Sequence, residues 1–294
     1  MKLILVCSLL AAPALAAEPE LVSPLGKQLY ALEDTKGAVV KADAALAADP
    51  GNPDMVLAAA RARDELWRYR EAIEMYSRGV ASAPGDFRFW RFRGHRYIST
   101  RQFAKAIADM EKASALASSS FDVAYHLGLS YYLSGRYDKA AQAYGRCLDM
   151  AGRTDLPKLP EGIRSCGELA THDDSRVAIT DWLYRSLRRA GRGEEAGKLL
   201  ETITDGMKIT TNDFYFQALL YYRGRRTEAQ ILGMGTATGN QYSTVGYAVA
   251  NRHLLDGRRE QACDLFRRIV EEKTWSAFGY IAAEAELAQG TCKQ

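Results

Sequence analysis

The sequence predicts an all-α chain, an α-solenoid of antiparallel helix pairs that ends in a capping helix. Three observations carry that prediction. Alanines at 38, 72, 106 and 140 recur in steps of 34 residues; after a gap of 56 the register resumes at Ala196, Ala229 and Ala262 in steps of 33. Gly94 and Tyr97 reappear one period later as Gly128 and Tyr131. Gly191, Gly224 and Gly257 stand 33 apart, each between two helical patterns, where a turn with positive φ suits glycine. Periods of this length mark stacked helix pairs that bury a continuous core between neighbours.

Residues 1–16 read as a secretory leader. Lys2 supplies a short positive start, residues 3–10 an apolar core, and Ala14 and Ala16 the small residues of a cleavage site. The apolar run is too short to span a bilayer, and no later stretch is apolar enough to do so. Two readings compete with cleavage after Ala16: lipid attachment at Cys7, and an uncleaved anchor. Val6 stands where a lipidated cysteine is preceded by Gly, Ala or Ser, and only six residues lie ahead of Cys7.

Residues 17–52 comprise an N-terminal tail and a degenerate unit whose second helix carries Ala38, Ala42 and Ala45. Residues 53–154 hold three full units. The first has Ala72, Tyr76, Gly79 and Pro84; the second Trp90, Gly94, Tyr97, Phe103, Ala106 and Met110; the third Leu127, Gly128, Tyr131, Tyr137, Ala140 and Tyr144. Residues 155–176, with Pro157, Pro160, Gly162 and Asp173-Asp174, interrupt the array as an insertion loop. Loops of that length within an array often carry function. Residues 177–274 resume it as three looser pairs, and residues 275–294 form a capping helix and tail around Trp275, Phe278, Ile281 and Leu287.

The pattern Trp90…Gly94…Tyr97…Phe103…Ala106 and Leu127-Gly128…Tyr131…Tyr137…Ala140…Tyr144 resembles the tetratricopeptide repeat (TPR), a 34-residue helix pair. The likeness is clear over 53–154 and looser over 17–52 and 177–289. Arg63 replaces an aromatic of that pattern and Arg93 a leucine; their stems can cover apolar surface while the charge reaches water. The order of parts is also similar, with little residue identity, to envelope TPR lipoproteins that scaffold peptidoglycan hydrolases. The resemblance implies a TPR superhelix that binds a protein or peptide in a concave groove lined by first helices. It does not extend to the Lys/Asn clamp by which some TPR domains grip C-terminal carboxylates.

Spacing of three and four residues keeps one helix face. On the groove side it selects Arg88, Arg91 and His95, then Tyr125, Leu129 and Tyr132, then Arg185 and Arg188. That gives basic ends and an aromatic middle, suited to a segment with acidic and apolar side chains. The competing reading is a solvated arginine face with tyrosines packed against the next helix. A net charge of +3 gives no argument for nucleic acid. No catalytic or phosphate-binding motif is present, the four histidines lack metal spacing, and Gly233, Gly235 and Gly239 follow no strand. No metal, cofactor or catalytic residue is therefore expected; Ser165, His172 and Asp173 read as a polar loop. The alternative functions are a structural module that homodimerises through exposed edge helices and, less favoured, an enzyme accessory domain acting through 155–176.

Loss of the leader leaves Cys147, Cys166, Cys263 and Cys292, an even set in an oxidising compartment, which here would be the periplasm. Sequence order favours Cys147 with Cys166 and Cys263 with Cys292; four free thiols are the alternative. Cleavage after Ala16 predicts Ala17 as the mature N-terminus. N-terminal sequencing of protein recovered from a periplasmic fraction checks it, and a start at Met1 or a lipidated Cys7 would refute it.

Overall fold

The computed structural model describes residues 18–234 and 239–293. The leader and Gly235 lie outside the described residues. A two-stranded antiparallel hairpin, β1 (Leu21–Val22) and β2 (Gln28–Leu29), precedes helix α1 (Ala38–Ala48). Three regular pairs follow: α2 (Pro53–Glu65) with α3 (Tyr69–Ser82), α4 (Phe87–Ser99) with α5 (Phe103–Leu116), and α6 (Phe121–Leu133) with α7 (Tyr137–Leu148). An irregular stretch with one 3-10 turn at Cys166–Ala170 leads to α8 (Asp173–Arg189) and α9 (Gly193–Glu201). Then come α10 (Asp213–Tyr222) and α11 (Glu228–Met234), α12 (Gly239–Leu255) and α13 (Arg259–Ile269), and finally α14 (Phe278–Ala288). The degenerate first unit keeps only its second helix, and α8 starts inside the stretch read from sequence as loop.

Local chemistry sets the helix starts. The Asn52 side chain accepts from the Asp54 amide at 2.9 Å with Pro53 in the first turn, and Asp86 accepts from the Arg88 amide at 3.0 Å. Inside each pair the chain turns by one repeated device. The amides of Arg68, Gln102, Arg136, Arg192, Arg225 and Arg258 each donate to a carbonyl five residues back. The residue ahead of each is left-handed: Gly135, Gly191, Gly224 and Gly257 have φ of 72–78°, but Trp67 (57°) and Arg101 (61°) hold the same place.

The alanine ladder is a packing device at most of its rungs. Ala72, Ala106, Ala140, Ala196 and Ala262 have no exposed surface. Ala229 is exposed, which corrects the sequence expectation: the short helix α11 turns Ile231 inward instead. Close approach of α6 and α7 rests on Gly128, where a Cβ would lie 2.5 Å from the Tyr144 ring. The arginines that break the repeat pattern are neutralised rather than left in water. Arg63 makes a forked contact with Asp43 at 2.8 and 2.9 Å, and Arg93 with Asp109 at 2.7 and 2.8 Å.

Two disulfides join Cys147 to Cys166 and Cys263 to Cys292. The first ties α7 to the insertion. The insertion is further pinned by a backbone bridge between Ser120 and Ser165 and by Leu159 and Ile163, which pack near Phe87, Ala113 and Val123.

The superhelix closes on itself. Trp275, 3% exposed, meets Trp67 and Tyr69 edge-on at 5.4 and 5.3 Å, and its indole donates to the Tyr30 carbonyl at 3.1 Å. Arg101 donates to Glu284 at 2.6 Å and to the Trp275 carbonyl at 2.9 Å. Lys27 reaches the Val270 carbonyl and Glu271. Helix α14 covers the α12–α13 pair and also packs against α6, across the concave side.

Arg101→Gly tests the closure. Glycine relieves about 1 kcal/mol of left-handed strain. It also strands Glu284, whose side chain is 1% exposed, and breaking such a buried pair costs about 3–5 kcal/mol. The expected net loss is about 2–4 kcal/mol in urea unfolding; a gain in stability would show that Arg101 does not hold the ring.

Candidate functional site

Helices of the C-terminal half pack onto the concave face. Leu129 has no exposed surface, Tyr132 shares hydroxyl contacts with Tyr247 at 2.9 Å, and Tyr125 meets Tyr215 at 3.0 Å. Arg185 is fully buried, with Asp181 at 2.6 Å off the hydrogen-bonding direction and its guanidinium over Trp182 at 4.6 Å. These four residues do not face an open groove, because α10, α12 and α14 fill it. Arg188 is half-buried and donates to the Tyr184 hydroxyl at 3.0 Å. Arg88 sits at the edge of α4, pairing with Asp54 at 2.8 Å and Asp86 at 2.7 Å.

One part of the concave face remains open. A cleft of about 710 Å³ lies between α2 and α4 on one side and the start of α10, α12 and the segment before α14 on the other. Of the sequence-predicted groove residues, it brings Arg91 and His95 together. It adds Arg61, Asp64, Phe92, Arg96 and Phe278, which the sequence reading did not select. Arg61 and Asp64 fall on the same three-and-four stripe when it is laid on residues 53–86, so the signal for them existed. Arg96 lies beside that stripe, and Phe278 arrives from 183 positions after His95; neither had a local signal.

Packing fixes the cleft wall. Phe92 stacks on Tyr76 at 5.6 Å and carries the Arg91 guanidinium at 4.3 Å and that of Arg61 at 5.6 Å. Arg91 also meets Asp122 at 3.2 Å. Asp64 accepts from the Tyr76 hydroxyl at 2.6 Å, and burial raises its carboxyl above the usual value in spite of Arg96 nearby. The His95 and His126 rings lie 4.2 Å apart, although they come from different repeats, and both touch Phe278. His126 Nδ1 is 2.6 Å from the Asp122 carbonyl. Among the described residues no metal-binding group of three or more His, Cys, Asp or Glu forms.

The residues that invited a catalytic reading in the insertion serve the backbone. Ser165 and Glu168 cap the 3-10 turn, His172 accepts from the Ser175 amide at 3.3 Å, and Asp173 accepts from the Lys208 amide at 2.8 Å.

Tetratricopeptide repeat family profiles match residues 29–95 and 121–154. A tetratricopeptide repeat protein from Parabacteroides merdae ATCC 43184 superposes with a TM-score of 0.50 at 13% identity, covering 83% of this chain and 91% of that one. MamA protein aligns over 65% of this chain and 86% of its own at 18% identity, TM-score 0.46. The small glutamine-rich tetratricopeptide repeat-containing protein 2 of Saccharomyces cerevisiae is 27% identical over 84 residues, 29% of this chain. The match spans 24% of that relative's length. The chain carries tetratricopeptide repeats over residues 29–95 and 121–154 within an all-α helical solenoid, and such repeats generally serve as non-catalytic scaffolds for protein interaction.

The paired histidines give the site a pH signature. Burial first, then the adjacent arginines, pull His95 well below its ordinary 6.5 and His126 down to about 3. Below 6.5 the unfolded chain takes up protons that the folded chain refuses, so this stability is complete above that pH and declines toward about 3. A His95→Gln/His126→Gln variant should lose less Tm between pH 7.5 and 5.0 than the wild type. An equal or larger loss would mean the pair does not titrate in that way.

Proposed function

We propose that this protein is an exported scaffold of the bacterial periplasm that binds a protein or peptide partner, and that a partner segment with acidic and apolar side chains enters at the mouth of the cleft. The observation that carries this reading is the cleft itself. It is a stretch of repeat-lined concave surface that the described residues of the C-terminal half leave uncovered, and arginine and aromatic side chains are prominent in its wall. Those residue types are enriched where binding energy concentrates. Arg91 and His95 are the groove positions proposed to touch the partner, joined by the exposed Arg61 at the rim.

Export is supported by the leader sequence and by two disulfides, which persist in oxidising compartments. Among the described residues, no helix is long and apolar enough to cross a membrane.

A photo-crosslinking residue at Glu65, exposed on the cleft rim, tests the reading against the same residue at Glu260, exposed on α13. In envelope extracts the rim position should yield a discrete adduct that Arg61→Glu abolishes. Adducts of the same pattern from both positions, or one indifferent to Arg61→Glu, would overturn the cleft as the partner site. Arg61 is chosen because its side chain is exposed, so its replacement leaves the core intact.

A further inference from the structure

We infer that the floor of the cleft is a receptor for a small organic monoanion with a flat apolar body, of the class of aromatic carboxylic acids. This goes beyond the scaffold reading, since it requires no protein partner.

The first argument is an excess of donors. Most buried and half-buried arginines of this chain are spent on acceptors: Arg63 on Asp43, Arg93 on Asp109, Arg101 on Glu284, and Arg189 on Glu286 and the Tyr137 hydroxyl. Those of the cleft are spent only in part, Arg91 on Asp122 at 3.2 Å and Arg96 beside Asp64 at 3.6 Å. Arg96 is 7% exposed, its Nε lacks a hydrogen-bond partner, and the facing oxygen, Asp64 Oδ1, is 3.6 Å away and also unpartnered. Arg91 Nε is likewise buried without a partner. A guanidinium has donors only, so an oxyanion is the group that matches it. Buried arginine nitrogens without a partner also occur at Arg164 and Arg185, but those two arginines do not line the cleft.

The second argument is charge. Arg61, Arg91 and Arg96 line the cleft against Asp64 and Glu65, leaving one excess positive charge, three minus two. Asp122 pairs with Arg91 at 3.2 Å from just outside the lining and brings the local charges close to balance, while burial pulls His95 well below its ordinary value. A lining so near balance suits a monoanion better than a dianion, which would leave the larger excess of negative charge.

The third argument is shape. About 710 Å³ falls within the roughly 300–1,000 Å³ of small-molecule sites. Five segments of the chain line it, and aromatic rings stand on both sides: Phe92 on α4, already backed by Tyr76, and Phe278 at the start of α14, backed by His95. A planar ring between such walls gains stacking while its carboxylate reaches Arg91 and Arg96.

Calorimetric titration of the purified mature protein with 2-naphthoate tests the inference. Acetate and inorganic phosphate serve as charge-only probes, and naphthalene-2-methanol as the apolar one. Saturable 2-naphthoate binding is expected, with a change in the fluorescence of Trp67 in the wall and weakening as salt rises. Arg96→Gln should weaken it by about tenfold or more, from the loss of a charge-assisted hydrogen bond. Arg61→Gln, at an exposed position, should weaken it by less and leaves a folded control should Arg96→Gln unfold. Absence of saturable binding, equal binding of acetate, phosphate or the alcohol, or indifference to Arg61→Gln and Arg96→Gln would each overturn the inference. A peptide carrying Phe and Glu is titrated alongside. Binding of the peptide with no binding of 2-naphthoate would leave the scaffold reading standing and remove this one.

Discussion

The docking of Trp275 and α14 onto the concave face is the constraint on which the rest of this structure depends. A TPR array of three regular pairs would leave a groove lined by α2, α4 and α6. Here the chain supplies its own occupant. Trp275 lodges against Trp67 and Tyr69, Tyr247 reaches Tyr132, and Glu286 pairs with Arg189 at 2.8 Å. Burial of these aromatics is worth several kcal/mol in total, which gives the closed ring a stability that edge contacts of a simple solenoid would not provide.

Closure explains two departures from the repeat. Four of six intra-pair turns use glycine at the left-handed position, where it is free of the Cβ clash. The two that do not, Trp67 and Arg101, are the two whose side chains reach the Trp275 segment. Strained backbone at these points is tolerated because the contacts made by the side chains more than offset it. A polar counterpart lies deeper, where Asp181 and Arg185 share the interior with Trp182 and Tyr222. Burial dominates there and raises the Asp181 carboxyl to about 6 even with its arginine partner beside it. Removing either partner would leave an uncompensated charge, which makes this pair a constraint on the core more than a source of its stability.

Much of the architecture was legible in the chain. The alanine period gave the helix pairs, the recurrent glycines gave their turns, and cysteine order gave the pairing of Cys147 with Cys166 and of Cys263 with Cys292. These are local or nearest-neighbour properties, so one sequence suffices to express them. The site was legible only in part. Arg91 and His95 emerged from the helical stripe, and Arg61 and Asp64 would have emerged from the same stripe one unit earlier. Tyr125, Leu129, Tyr132 and Arg185 carried the same signal and lie instead in the interior. A side chain at a groove position looks the same in sequence whether solvent, a partner or the chain itself comes to cover it.

The sequence by itself therefore determined the class of structure: helix pairs, their register, their turns and their cysteine partners, all set by interactions within one repeat or between neighbours. Only the tertiary structure decided which concave positions stay open. That choice rests on contacts such as Arg101 with Glu284 and His95 with Phe278, separated by 183 residues in each case, and no periodicity encodes a meeting across that distance.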